Sequence, residues 1–299
     1  MVGAAWVAMQ PDVYAAFSIA EADRATGEAV VAAFLEPNTV FFQSITKHVI
    51  LILLVAGGLA AAVSRARHLV YQHAAAERGR TNLSRHFSPN MVNALAERDT
   101  ALGETKSPQV AVLFADIVGF TRISEGQAPD EVITMLREFH GRIGQTVFEF
   151  DGTLDKFLGD GVMVTFGTPD NRADDAVRAL DCARAIIHTI SDWNVVRTAR
   201  GEPTIKVGVS LHFGSVVLGD VGDENRLEYA VIGDTVNVAS RVEELTRTLG
   251  ADIVISVDTI TSAEAGGANA AMLREFEAAD PQSIRGRAEP VSVRIWRAA

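Results

Sequence analysis

Five side chains in the second half of the sequence are of the types that handle phosphate and metal: Asp116, Lys156, Asp160, Asn237 and Arg241. Asp116 lies just ahead of Gly119, and Asp160 stands between Gly159 and Gly161. Carboxylate oxygens are preferred by hard divalent cations, and a pair of Mg²⁺ ions can activate an attacking oxygen while neutralising a leaving phosphate. Either aspartate alone is equally well read as a turn residue. The two together, with glycines that admit backbone close to a ligand, favour a metal site. Asn237 and Arg241 are four residues apart and so share one helical face near a helix N-terminus. An amide there can orient a sugar oxygen, and a guanidinium can stabilise charge building on phosphate. Periodicity by itself is better served by a solvated polar face. Lys156 interrupts the apolar positions of a strand-like run, which suits either a ligand contact or a charged edge strand.

These residues must be held by elements that the pattern from residue 110 onward makes legible. Val110–Ala115 is a short apolar run suited to a buried strand that ends at Asp116. Residues 130–150 carry apolar side chains at Val132, Ile133, Leu136, Phe139, Ile143 and Val147 with helical spacing. Thr153–Leu158 and Val162–Phe166 read as strands joined through Gly159-Asp160-Gly161, whose Asp-Gly pair is a strong hairpin signal and puts Asp160 at the tip. A second helix is expected over Asp174–Trp193 and a strand over Ile205–Leu211. The order β-α-β-β-α-β specifies a ferredoxin-like α+β sheet with its helices on one face. In it the first strand neighbours the hairpin, so Asp116 and Asp160 can converge at one edge. Beyond this core a strand is expected at Tyr229–Ile232, a helix at Thr235–Thr248 ended by Gly250, and strands at Ile253–Ser256 and Val291–Trp296.

The chain has 299 residues, enough for about two domains. With 48% hydrophobic and 22% charged residues it is too apolar for disorder. The net charge of −11 is unevenly placed: residues 1–100 balance, whereas the remainder holds 19 basic against 30 acidic residues. Such a surface repels a phosphate backbone, so nucleic-acid binding is not expected and any phosphate ligand must be met by metals or a few local cations. The lone Cys182 excludes an internal disulfide framework and a cysteine-based zinc site, which fits a reducing compartment. Val49–Val63 is uninterrupted apolar sequence, and extension back to Phe41 gives enough length to span a membrane. Glu21, Asp23, Glu28 and Glu36 precede it, while Arg65, Arg67, Arg78, Arg80 and Arg85 follow it. The positive-inside rule then puts the C-terminal side in the cytoplasm. The alternative is a buried core helix. The expected organisation is an N-terminal segment of open role (1–40), a transmembrane helix (41–64), a helical connector with a Ser88-Pro89 cap (65–107) and a catalytic domain (108–299), giving a membrane protein that is single-pass or the remnant of a multi-pass one.

Three stretches, Phe114-Ala-Asp-Ile-Val-Gly-Phe-Thr121, Asp155-Lys-Phe-Leu-Gly-Asp-Gly161 and Tyr229-Ala-Val-Ile-Gly-Asp-Thr-Val-Asn-Val-Ala-Ser-Arg241, closely resemble the class III nucleotidyl cyclases. The resemblance covers roughly residues 108–297, and Phe87-Ser88-Pro89 resembles the connector of bacterial members. It implies a nucleotide cyclase fold, the ferredoxin-like core with a C-terminal extension, in a head-to-tail homodimer with shared active sites. On one subunit Asp116, Asp160 and the Ile117 carbonyl would bind two Mg²⁺ or Mn²⁺ ions, and the backbone of Gly119, Phe120 and Thr121 would cradle the triphosphate of ATP. Leu158 and Gly159 fall in the second motif and count among the substrate-binding residues. From the other subunit Lys156 would read adenine, Asn237 would orient the ribose and Arg241 would stabilise the α-phosphorus, with Arg285 as a further phosphate contact. The implied product is cyclic AMP, with pyrophosphate released. Ala230 departs from the pattern, because adenylate-specific relatives carry Asp or Thr there. A guanylate or relaxed-specificity cyclase is therefore the rival reading. A catalytically silent nucleotide-binding domain is the other, and the completeness of the residue set argues against it.

Overall fold

The computed structural model describes residues 15–16, 27–35, 39–40, 42–83, 106–223 and 226–298, in two compact units, residues 1–78 and 79–299. In the first unit β1 (Ala15–Ala16) pairs in parallel with β2 (Thr39–Val40), and α1 covers Gly27–Leu35. Helix α2 (Phe42–Leu83) does not end at residue 64: the apolar run and the first part of the expected connector are one helix of 42 residues. Within it Ile45–Tyr71 is long and apolar enough to cross a membrane, with a mean hydropathy of 2.2 and none of that window buried. Full exposure of such a stretch argues against the buried-core alternative. The Ser88-Pro89 cap and the stripe at Met91, Val92 and Leu95 lie outside the described residues.

The second unit follows the expected order. It runs β3 (Gln109–Ile117), α3 (Phe120–Ser124), α4 (Pro129–Glu149), β4 (Thr153–Leu158), β5 (Gly161–Phe166), α5 (Asp175–Ala199) and β6 (Val207–Ser215). Then come β7 (Val217–Asp223), β8 (Arg226–Ile232), α6 (Asp234–Leu249), β9 (Ile253–Ser256), α7 (Val257–Ala265), α8 (Ala270–Arg274), β10 (Glu277–Ala278) and β11 (Val293–Trp296). The main sheet has the order β10-β11-β9-β6-β3-β5-β4. Its stretch β6-β3-β5-β4 is the ferredoxin-like arrangement, with β3 antiparallel to both neighbours.

Alternate residues of β3 feed two cores. Ala111, Leu113, Ala115 and Ile117 face Phe139 and Ile143 of α4 and Leu180 and Ile186 of α5, all buried. Val110, Val112 and Phe114 face the other way, against Ala239 of α6 and Val216 and Leu218. The two helices of the βαββαβ core do lie on one face, and α6 covers the opposite one. Close contact there depends on small side chains and hydroxyls: Ser210 Oγ donates to the Ala239 carbonyl at 2.8 Å, and Thr235 Oγ1 to the Ser215 carbonyl at 2.6 Å.

Several boundaries differ from expectation. Helix α5 runs to Ala199 because one residue of its otherwise exposed last turn is anchored: Arg197 is 2% exposed, donates from Nε to the Pro203 carbonyl at 2.8 Å and lies over the Trp193 ring. Strand β6 begins at Val207 rather than Ile205, whose N–H and carbonyl are both taken by the Asn194 amide, at 2.8 and 2.7 Å. Strand β7 was not expected; it pairs with β8 in a separate two-stranded sheet, starting two residues after β6 ends.

Candidate active site

Asp116 occupies the penultimate position of β3, across from Gly161 on one side and Gly208 on the other. The lack of a side chain at Gly161 has a direct consequence, since a Cβ there would lie 3.1 Å from Asp116 Oδ1. Asp160 sits in the β4–β5 turn next to it, and its carbonyl accepts a hydrogen bond from the Ile117 N–H at 3.3 Å. The two carboxyls that the sequence pairs are therefore brought together at the C-terminal end of β3, close enough for the charge of one to raise the other. Gly119, in the left-handed conformation at φ 73°, precedes the turn of α3, and its carbonyl accepts from the Ile123 N–H at 3.2 Å. Phe120 and Thr121 begin that turn.

Burial, reinforced by the negative charge of Asp160, pushes the Asp116 carboxyl up to about 6 even though the Arg247 guanidinium pulls the other way. Glu243 on α6 is raised further, to about 7, chiefly by burial and also by the charges of Asp116, Glu244 and Asp160. Arg247, one turn further along α6, makes an ion pair with Asp116 and lies 3.5 Å from Glu243. Neither Glu243 nor Arg247 was singled out in the sequence. Their i, i+4 spacing is a common solvent-exposed helix pair, and nothing local shows that this side of α6 meets β3.

The remaining expected residues fall elsewhere. Lys156 lies on β4, the edge strand, beside a bulge between Leu154 and Lys156, and its Nζ is 3.5 Å from Asp155 Oδ2. Asn237 is exposed and Arg241 half-buried. With 3.6 residues per turn they are roughly 80° and 120° around α6 from Arg247, the residue that touches Asp116, so Arg241 is turned away from that side of the helix. Arg241 instead packs on the loop after Ile284: a Cβ at Gly286, where φ is 81°, would meet its Nη1 at 2.7 Å. Arg287 ties the same loop to the start of α6 through Asp234 at 3.0 Å, and Arg285 is exposed beside it. Ala230 is half-buried on β8, across from Gly219. Leu158 and Gly159 close the hairpin and are exposed.

One further residue bears on the hairpin. His140 of α4 stacks on Phe157, with ring centroids 4.1 Å apart, and its Nε2–H donates to the Gly159 carbonyl at 3.0 Å. Burial lowers its pKa, which suits a neutral ring in that contact. Cys182, read as a packing residue, is fully buried, and its thiol is pushed up to about 12, so it is unreactive.

The donor set fits a hard divalent cation. It consists of oxygen atoms only, it concentrates negative charge that burial disfavours, and a cation, Arg247, already compensates it. Among the described residues no three His, Cys, Asp or Glu side chains form a complete cage.

The fold and site together define an α+β domain with a ferredoxin-like sheet and paired carboxylates at the end of its central strand. The comparisons narrow it. Residues 103–295 match the family described as the adenylate and guanylate cyclase catalytic domain, and the chain belongs to that family. It is 37% identical over 148 residues to adenylate cyclase 1 of Rhizobium meliloti, a match covering 50% of this chain and 22% of that protein. Among solved structures it resembles the guanylyl cyclase Cya2, with 29% identity, a TM-score of 0.56 and coverage of 64% of this chain and 92% of that one. It also resembles the adenylyl cyclase CyaB from P. aeruginosa, with 26% identity, a TM-score of 0.57 and coverage of 66% and 97%. The matched stretches amount to about a fifth to a third of the length of the curated relatives.

Proposed function

We propose that the chain is a membrane-anchored adenylate cyclase, a phosphorus–oxygen lyase that converts ATP to 3′,5′-cyclic AMP and pyrophosphate in second-messenger signalling. The observation that carries this reading is the division of the site. Asp116 and Asp160 meet at the end of β3, whereas Arg241 is turned to another side of α6 and packs on the loop that bears Arg285, with Asn237 exposed one turn before it. A complete site then needs the first set from one subunit and the second from its partner, and a homodimer of this chain would hold two.

Asp116, Asp160 and the Ile117 carbonyl would hold two divalent cations, Mg²⁺ or Mn²⁺, which when bound supply acidification of the ribose 3′-hydroxyl and neutralisation of the leaving pyrophosphate. The backbone of Gly119 to Thr121 receives the triphosphate. Asn237 orients the ribose so that its 3′-oxygen faces the α-phosphorus, and orientation of this kind carries much of the rate. Arg241 stabilises the charge that builds on the α-phosphate, and Arg285 contacts the departing phosphates. Lys156 reads the adenine edge.

Retention of Lys156 supports ATP. Ala230 favours the second reading, a cyclase of relaxed or guanylate specificity, because it offers only backbone to the base. Cyclic nucleotide measured from ATP and from GTP, on membranes containing the full chain with Mn²⁺, decides between them: cyclic AMP should form faster, and faster turnover of GTP overturns the assignment.

The anchor lies in α2, whose Ile45–Tyr71 portion is long and apolar enough to cross a membrane, and by the positive-inside rule the arginines that follow the apolar run support a cytoplasmic catalytic domain. The domain organisation we propose remains 1–40, 41–64, 65–107 and 108–299, with residues 65–83 continuing the membrane helix.

A further inference from the structure

One guanidinium has two seats at this site. Arg247 Nη2 is ion-paired with Asp116, and the same nitrogen lies 3.5 Å from Glu243 Oε1, one helical turn back on α6. The two seats differ in character. Glu243 is nearly buried, with 11% of its side chain exposed, and is fixed on the same helix as Arg247. Asp116 belongs to a different element 131 residues away and is one of the two carboxylates proposed as cation ligands. Arg247 itself is 46% exposed, so its long side chain can move between the seats without repacking the core.

A cation approaching Asp116 meets an Oδ2 already held by an N–H of the Arg247 guanidinium, a charge-assisted contact. It must displace that donor. Without a second acceptor, the displaced guanidinium would stay beside the incoming cation as a like charge. We propose that Arg247 is the exchangeable counter-ion of the cation site: it holds Asp116 in the cation-free chain and passes to Glu243 when a divalent cation takes Asp116. Arg247 is in this sense a positioning residue. It keeps the carboxylate edge formed while the site waits for cation and nucleotide, and it sets the cation affinity by competing for Asp116.

This inference rests on the metal reading given above, and the test separates the two. Full-length chain in lipid nanodiscs is titrated with Mn²⁺ alone, with free Mn²⁺ followed by its EPR signal and melting temperature recorded in parallel. Asp116→Asn should lose the binding; if it binds like the wild type, the metal reading falls and this inference with it. Arg247→Gln should bind Mn²⁺ about fivefold more tightly, the scale of a partly exposed ion pair, and should melt lower than the wild type before Mn²⁺ is added. Arg247→Lys keeps the charge on a more strongly hydrated point-charge ammonium, a weaker competitor for Asp116, and should fall between the wild type and Arg247→Gln. It also serves as the test if Arg247→Gln does not fold, since it must then still bind more tightly than the wild type. Equal or weaker Mn²⁺ affinity in the Arg247 variants, with Asp116 still required, overturns the exchange and leaves the metal site standing.

Discussion

Asp116 and Gly161 face each other across β3 and β5, and a methyl group on Gly161 would lie 3.1 Å from Asp116 Oδ1. The strand partner of the carboxylate is thus held to the one residue type that leaves the carboxylate room. Gly161→Ala should displace Asp116 by a few tenths of an ångström while the ladder stays paired. Because small misplacements of reacting groups are costly, cyclase activity should fall about tenfold or more with little change in melting temperature. Activity and melting curves on the same preparation check this, and unchanged activity would show that Asp116 need not sit where it does.

Asp116→Asn removes a charge that burial and Asp160 already disfavour. The variant should therefore fold and be no less stable than the wild type without metal, yet lose turnover by about a hundred- to a thousandfold, as when a group that stabilises transition-state charge is deleted. Substantial residual turnover in a folded variant would remove Asp116 from the chemistry.

The raised carboxyls also fix the sign of a pH effect. Burial lifts Asp116 from an ordinary 3.8 to about 6 and Glu243 from 4.5 to about 7. Between the ordinary and the raised values the folded chain binds protons that the unfolded chain releases. The stability these two groups contribute is therefore fully present below about pH 4 and lost as pH rises through 6 to 7. Without divalent cations the wild type should lose more melting temperature between pH 5 and pH 8 than the Asp116→Asn, Glu243→Gln double variant. Divalent cations need the ionised form, so Mn²⁺ affinity should rise over the same range. Parallel pH curves for the two proteins would contradict the assignment.

The division of the site predicts complementation. Asp116→Asn and Arg241→Ala chains should each be nearly inactive alone. Random pairing on co-expression makes half of the dimers mixed, and each mixed dimer holds one intact site of its two, so about a quarter of wild-type activity should return. Cyclic nucleotide from the purified mixture is the measurement. No recovery, in preparations where the two chains are shown to pair, would mean that one chain builds the whole site.

Local chemistry made much of this molecule legible from sequence. Short apolar runs and period-3.6 patterns gave the strand and helix order, the Asp-Gly pair gave the hairpin, and the place of Asp116 and Asp160 beside their glycines marked the strand end where they meet. These signals work because backbone conformation and side-chain facing are set within a few residues. Some elements escaped notice. Short ones such as α3, α8 and β10 have too few residues for a period to register, and Gly219, Asp220, Gly222 and Asp223 of β7 read as turn residues. Others were misjudged in extent: α5 outran its apolar pattern because Arg197 is buried on a carbonyl and an aromatic ring.

What the sequence by itself determined is the list of reactive groups and the order of the elements that carry them. Apart from the pairing of Asp116 with Asp160, the tertiary structure alone decided which of those groups meet. It brought Arg247 to Asp116 over 131 residues, placed His140 under the hairpin that carries Asp160, and turned Arg241 toward Gly286 and away from the face of α6 that meets β3. Those approaches follow from how α6 and α4 pack on the sheet. Such packing depends on the fit of many side chains at once, and no local spacing encodes it.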